Sequence, residues 1–327
     1  MEPIDPTLTA MRVARALELG FSPGQLRGDQ WTGGGHGLVR PAFLSVDPVM
    51  SRIAGGVALM SPSNVLGGWA SLAVQGNDWF DGSDVDGRER DVLIHCLAGS
   101  QLRRRPGIRP SEGLLLADEI VSIGHYDVAT MARAVYDEMR TARGVREATV
   151  ALDMATSTTT GSPHCSIAAV RRVIASHHKT RGITQARRAL VLGSTRSASP
   201  WETRTRLVAE LDAGINDLLV NVPVFDRNER LLGVADLLDP ESGLVIESDG
   251  AHHREAERHA DDNAREERFE RARLVVCRVT ALDHRDRTGL AARLHAARLD
   301  AARERERPWR LQAPGWWHSW PPARRWD

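Results

Sequence analysis

The sequence predicts a mixed α/β fold of the α+β kind, on three observations. Four segments (residues 129–142, 146–155, 166–177 and 185–192) carry apolar residues at helical spacing. Short runs at 91–97 and 119–123 have the composition of strands. Two further apolar runs, 231–238 and 244–249, are joined by Asp239-Pro240-Glu241-Ser242-Gly243, a turn sequence that predicts an antiparallel hairpin. At 327 residues, 42% hydrophobic and 26% charged, the chain can bury a sizeable core across two or three domains.

Residues 4–19 place Leu8, Met11, Val13 and Leu17 at helical spacing and stop at Gly20, a helix C-terminal signal. Ser22-Pro23-Gly24-Gln25-Leu26 then reads as an N-cap with proline in the first turn of a second short helix. Two short helices across a tight turn suit the start of a helix-turn-helix, or a generic helical hairpin. The run Gly33-Gly34-Gly35-His36-Gly37 is then a wing or a loop. Residues 1–44 are the first expected domain and 45–196 a mixed α/β connecting domain. Within the latter, the acidic run 81–87 fails the EF-hand pattern, because its twelfth position is Leu93 rather than Glu, and it reads as a solvated loop. A polar hinge is expected at 156–161 and a domain boundary near 196. The remainder divides into a domain at 197–300 and a tail at 301–327. Five of the nine tryptophans fall in the last 19 residues, and the tail is expected to pack back on its own domain.

No stretch approaches the ~18 apolar residues of a membrane span. The opening residues lack a basic n-region and an apolar h-region, and Cys96, Cys165 and Cys277 show no pairing grammar. A cytoplasmic location with no membrane partner is expected. Net charge is zero, from 43 Lys+Arg against 43 Asp+Glu, but it is unevenly spread. Residues 154–201 contain no Asp or Glu and seven cations: Arg171, Arg172, Lys179, Arg181, Arg187, Arg188 and Arg196. Either this patch complements the acidic region upstream, or its field attracts a phosphate backbone. On the second reading Arg171, Arg172, Arg187 and Arg188 are candidate nucleic-acid contacts.

The hairpin carries the chemistry. If its turn centres between Glu241 and Ser242, partners sum to 483 and Asp236 lies opposite Glu247, with Asp249 on the same face as Glu247. Two carboxylates ~5 Å apart repel by roughly 3 kcal/mol at an effective dielectric near 20. Such a cluster is offset by a cation or by raised pKa values. Oxygen donors without nearby cysteine favour magnesium or manganese; a register off by one would instead turn some of the carboxylates to solvent. His252 and His253 follow directly, and a histidine so close can orient or deprotonate a water. A charged helix over 254–272 and a strand over 274–280 complete the region.

Several motifs in order resemble the very-short-patch-repair-like endonuclease domain of actinobacterial proteins, a branch of the PD-(D/E)XK nuclease superfamily. They are Ser199-Pro200-Trp201-Glu202-Thr203-Arg204, Val222-Pro223-Val224, Leu232-Gly233-Val234-Ala235-Asp236-Leu237-Leu238, Glu247-Ser248-Asp249-Gly250, His253-Arg254, Asp262-Asn263-Ala264-Arg265-Glu266 and Cys277-Arg278-Val279-Thr280. The match spans about residues 197–299. Upstream, the chain is more loosely similar to proteins that join this domain to an AbiEi-antitoxin-like helix-turn-helix, whose usual Arg-Gly-Val-Tyr appears here as His36-Gly37-Leu38-Val39.

The resemblance implies a restriction-endonuclease-like mixed sheet flanked by helices. It also implies a metal site at Asp236 and Glu247, with Asp249 in or near it and Glu202 in support. His253 becomes the candidate general base, and Arg265 or Arg278 the contact to the scissile phosphate, Arg278 also counting among the nucleic-acid contacts. The superfamily's name-giving lysine is here Asp249, and Lys179 is the chain's sole lysine. The expected activity is metal-dependent DNA endonuclease cleavage in defence or repair, by a monomer or a homodimer. An inert DNA-binding regulator of the antitoxin type, or an interaction module with a structural ion, are the alternatives.

Overall fold

The computed structural model describes residues 10–44, 47–100, 102–249 and 256–319. The fold is α/β, as expected, and the chain divides into two compact units. One comprises Met1–Ala142 and Ser162–Arg187, the other Arg143–Gly161 and Arg188–Asp327. Among the described residues no helix is long and apolar enough to cross a membrane.

The first unit opens with β1 (Met11–Arg12), α1 (Val13–Glu18), a 3-10 turn (Gln25–Arg27), β2 (Trp31–Gly33) and β3 (Leu38–Pro41), in sheet order β1-β3-β2. The helix expected over 4–19 is shorter, because Met11 and Arg12 pair with Val39 and Leu38 and helical structure begins only at Val13. Residues 1–9 lie outside the described residues. The second expected helix is a single 3-10 turn. Ser22 N donates to Gln25 Oε1 (2.7 Å) and Gln25 N to Ser22 Oγ (3.3 Å), a reciprocal cap. The glycine run closes the β2–β3 hairpin, with positive φ at Gly35, His36 and Gly37. This small winged segment buries Ala16, Leu26 and Val39.

The rest of that unit is a five-stranded sheet in the order β6-β5-β4-β8-β7, from β4 (Asn64–Gly67), β5 (Val92–Cys96), β6 (Ile108–Ser111), β7 (Ile120–Ile123) and β8 (Tyr126–Ala129). Its helices are α2 (Pro48–Leu59), α3 (Gly68–Val74), α4 (Met131–Thr141) and α6 (Ile167–Ser176), together with the start of α7 (Ile183–Leu192). Asp47, Thr130 and Ser166 cap α2, α4 and α6 through their side-chain oxygens. In the acidic loop, Asp81 and Asp84 accept backbone N–H groups of their own turn. A buried ionic network ties α4 to the sheet: His95 Nε2 meets Asp137 (2.7 Å), Arg133 donates to Asp137 and Glu119, and His177 meets Glu119 (2.6 Å). Burial works to raise the Asp137 pKa, but His95, Arg133 and Arg140 beside it carry it below the usual carboxylate range.

The second unit runs α8 (Pro200–Leu211), β9 (Leu219–Asp226), β10 (Leu231–Asp239), β11 (Leu244–Asp249), α9 (Ala256–Arg271), β12 (Val275–Thr280), α10 (Arg287–Ala301), β13 (Trp309–Arg310) and α11 (Gly315–Ser319). The sheet order is β12-β11-β10-β9-β13, with β11 and β12 parallel and the other pairs antiparallel. On one face Val220, Leu237, Ile246 and Val279 pack against α8 and α10. On the other, Leu238 and Val245 pack against Phe269 of α9.

The domain divisions expected near residues 44 and 196 are not where the compact units divide. The winged segment clusters with the α/β layer, and the second unit recruits α5 (Val145–Thr156). The reason is Asp153, fully buried on α5, whose carboxylate accepts Ser194 N (2.8 Å), Ser197 Oγ (3.1 Å), Thr203 Oγ1 (2.9 Å) and Arg206 Nη2 (2.8 Å). The expected hinge at 156–161 is likewise held, by Ser157 Oγ on Ser197 O (2.7 Å) and Thr159 Oγ1 on Arg196 O (2.9 Å). The tail packs back as expected: Trp316 and Trp317 meet Phe225 edge-on, at 6.0 and 5.4 Å between ring centres. Trp320 and Trp326 lie outside the described residues.

Candidate functional site

The hairpin turn is set by Asp239, whose carboxylate accepts Glu241 N (3.0 Å) and Ser242 Oγ (2.7 Å) and whose carbonyl accepts the N–H of Gly243 at φ 84°. The register that follows pairs Leu237 with Ile246, Leu238 with Val245 and Asp239 with Leu244. Partners therefore sum to 483, and Asp236 falls opposite Glu247, as the turn sequence predicts. The neighbouring strands extend the row. Val220 and Val222 pair with Leu237 and Ala235, so Asn221 stands beside Asp236, while Glu247 pairs with Arg278. One line of polar residues, Asn221, Asp236, Glu247 and Arg278, thus crosses four strands of the sheet.

Each carboxylate in this row is held differently. Asp236 Oδ2 accepts the Ser248 N–H (2.8 Å). Glu247 is 6% exposed; its Oε2 accepts Arg265 Nη2 (2.6 Å), while its Oε1 is buried with no hydrogen-bond partner. Burial, and then the Asp236 charge, push the Glu247 pKa well above the usual range, against the opposing pull of Arg265. Arg265 comes this close because α9 crosses Gly233. A Cβ there would lie 2.7 Å from Arg265 Cγ and 2.8 Å from Phe269 Cζ.

Glu202 joins the pair from α8. Ser199 caps that helix, with Pro200 at its first position and Glu202 in its first turn. The Glu202 carboxylate accepts Ala198 N (2.8 Å) and Asn221 Nδ2 (2.6 Å). Burial, followed by the charge of Asp236, raises its pKa to about 7. Asn221 sits in β9 at a positive φ of 47°, and its amide also donates to Arg196 O (2.9 Å). It is a latch between β9 and the start of α8. The roles of Asn221 and Gly233 are hard to see in the sequence. Their only signals are an amide inside the apolar run Leu219–Val224 and a glycine inside a strand.

The other expected site residues are placed less centrally. Asp249 lies at the half-exposed end of β11, its carboxylate 3.7 Å from Arg278 Nη1. Arg278 Nη2 pairs with Glu266 at 2.6 Å, so its charge is engaged within the protein. His252 and His253 lie outside the described residues. Arg171 and Arg172 on α6 and Arg187 and Arg188 on α7 are exposed and form no ion pair among the described residues, as is also true of Lys179 and Arg181. Behind β11, Ser248 Oγ meets Thr205 Oγ1 (3.0 Å), which meets His284 Nε2 (3.2 Å). Burial, then Arg204, lowers the His284 pKa.

Among the described residues no group of three or more His, Cys, Asp or Glu side chains is assembled to hold a metal ion. The donor set fits a sparser ligation. Magnesium is commonly held by one or two carboxylates with water completing its shell, and Glu247 Oε1 is a buried oxygen lacking a partner beside a second carboxylate. Compared with protein-family models, curated proteins and solved structures, the chain matches none.

Proposed function

We propose that the second unit is a divalent-metal-dependent DNA endonuclease, acting in the cytoplasm in defence or repair. The observation that carries the reading is the Asp236–Glu247 pair on the sheet with Glu202 of α8 beside it, three acids gathered where charge is costly to bury. A protein that gains nothing from such a cluster has no physical reason to keep it, because like charges across a strand pair destabilise the sheet. The order α8, β9, β10, β11, α9, β12, with β11 parallel to β12, agrees with the restriction-endonuclease-like sheet that the resemblance implies.

In this reading Asp236 and Glu247 would hold magnesium or manganese, which would supply Lewis-acid chemistry and lower the pKa of a bound water. The protein's own groups prepare the acids. Arg265 fixes the direction of the Glu247 carboxylate, and the Ser248 N–H fixes that of Asp236. Asn221 and Ala198 hold Glu202 where it exchanges a proton near neutral pH. The sole lysine, Lys179, belongs to the other unit, so arginine takes the place that lysine has in the wider superfamily. Support for DNA as the partner comes from Arg171, Arg172, Arg187 and Arg188, whose exposed charges have no internal counter-ion among the described residues.

The winged segment favours a second reading, in which the chain is a DNA-binding regulator and the nuclease-like unit is inert. Supercoiled plasmid, incubated with the full chain and magnesium or manganese, separates the two. The endonuclease reading expects nicked or linear product that disappears in both Asp236→Asn and Glu247→Gln. Cleavage surviving both substitutions defeats the site assignment. Sequence-selective duplex binding without cleavage selects the regulator.

A further inference from the structure

Within the first unit, between the winged segment and the α/β layer, lies an open cavity of about 610 Å³, inside the ~300–1,000 Å³ range of small-molecule sites. Two anchors frame it. Arg12 donates from Nε to Ala58 O (3.0 Å) and from Nη2 to Leu59 O (2.6 Å) at the end of α2. His36 donates from Nε2 to Pro106 O (2.9 Å), since a carbonyl can only accept. Arg12 Nη1 and His36 Nδ1 are not used by these bonds.

The lining is charged in one sense only. Arg12 and Arg105 contribute to it and no carboxylate does. The Arg105 guanidinium has no ion pair or hydrogen bond among the described residues, so its charge has no counter-ion in the wall. A hydroxyl is also held ready. Asn64 is 2% exposed and spends its amide oxygen on Ser61 N (2.7 Å) and Ser61 Oγ (2.8 Å). Its Nδ2 donates to Ser100 Oγ (2.7 Å), which also accepts Leu102 N (3.4 Å). With both bonds received, the Ser100 hydroxyl is left with its proton to give.

A planar carboxylate is satisfied by one guanidinium fork. Two guanidiniums and a hydroxyl arriving from two segments, Arg12 of β1 and Ser100 with Arg105 on the β5–β6 loop, suit a tetrahedral anion with more acceptor oxygens. Leu59 and Leu102 supply an apolar wall beside them. We propose that this cavity binds a small phosphate monoester of the nucleoside monophosphate class, its phosphate on Arg12, Arg105 and Ser100 and its apolar part against Leu59 and Leu102. Because the phosphate would touch Arg12, its binding strengthens the attachment of the winged segment to α2. The site is independent of the carboxylate cluster in the other unit.

Titration calorimetry of the full chain in EDTA tests this, with adenosine monophosphate, inorganic phosphate, adenosine and a 5′-phosphorylated single-stranded oligonucleotide as probes. The expected result is that adenosine monophosphate binds, phosphate binds more weakly and adenosine does not bind. Arg105→Glu and Ser100→Ala should each weaken adenosine monophosphate by about tenfold or more, with the unliganded melting temperature unchanged in Arg105→Glu. A dissociation constant for adenosine monophosphate weaker than about 1 mM, or one unaltered by Arg105→Glu, overturns the proposal. Tighter binding of the oligonucleotide than of the mononucleotide, lost in Arg105→Glu, also overturns it and transfers the site to nucleic-acid ends.

Discussion

Replacing Glu202 by Gln should make the protein more stable at pH 8 and leave it nearly unchanged at pH 5. An unfolded glutamate releases its proton near pH 4.5, whereas Glu202 in the folded chain keeps it to about 7. Between those values folding takes up a proton, so stability falls as pH rises from about 4.5 to about 7 and is level above that. The difference corresponds to about 3 kcal/mol for this group. The variant cannot ionise, and its amide oxygen can still accept from Ala198 N and Asn221 Nδ2. It therefore loses the slope, keeps the hydrogen bonds and removes a charge beside Asp236. Its gain at pH 8 should approach 3 kcal/mol, or about 6 to 12 °C at the 2–4 °C per kcal/mol of a unit this size. Urea denaturation at pH 5 and pH 8, followed by tryptophan fluorescence, reads the effect. A variant less stable than the parent at pH 8, or one with the parent's pH slope, would refute the reasoning.

Other consequences follow from the same contacts. Gly233→Ala forces α9 away from β10, because the new Cβ meets Arg265 and Phe269 below 3 Å. A cost of about 1–3 kcal/mol in denaturant unfolding is expected, with loss of plasmid cleavage if Arg265 orients Glu247. Asp153→Ala leaves the buried Arg206 without its fully buried counter-ion and releases Ser194, Ser197 and Thr203; calorimetric unfolding should show about 3–5 kcal/mol of destabilisation. Millimolar magnesium at pH 8 should raise the melting temperature of the parent protein and not of Glu247→Gln, since bound ion relieves the Asp236–Glu247 repulsion only where both acids are present. Arg171→Ala combined with Arg172→Ala should flatten the slope of log affinity for duplex DNA against log salt by about 1.8, the value of two lost phosphate contacts.

The parts of the fold visible in the sequence were those set by near neighbours. Two apolar runs and the Asp239–Gly243 turn predict both strands of the hairpin and, for a turn centred between Glu241 and Ser242, their register, because a turn sequence and a two-residue side-chain period act over a few residues. The opposition of Asp236 and Glu247 follows from that alone. Helices α4, α5, α6 and α7 were likewise legible from spacing. Where a local signal competed with a distant partner, the partner won. Met11 and Arg12 have helical spacing but pair with β3, about 27 residues further along the chain.

The sequence by itself thus determined the α/β class, the hairpin with its facing acids, and a segment of cations free of Asp and Glu. Tertiary structure decided the rest of the site. Only folding brings Glu202 to Asp236 through Asn221, lays Arg265 on Glu247 across Gly233, turns Asp249 outward toward Arg278, and seats α5 on α8 through Asp153. The physical reason is that burial and Coulomb energies depend on through-space distance and on exclusion of water. Neither is encoded by spacing along the chain, so Asp236 acts on Glu202 and Arg206 on Asp153, 34 and 53 positions away, only when the fold brings them together.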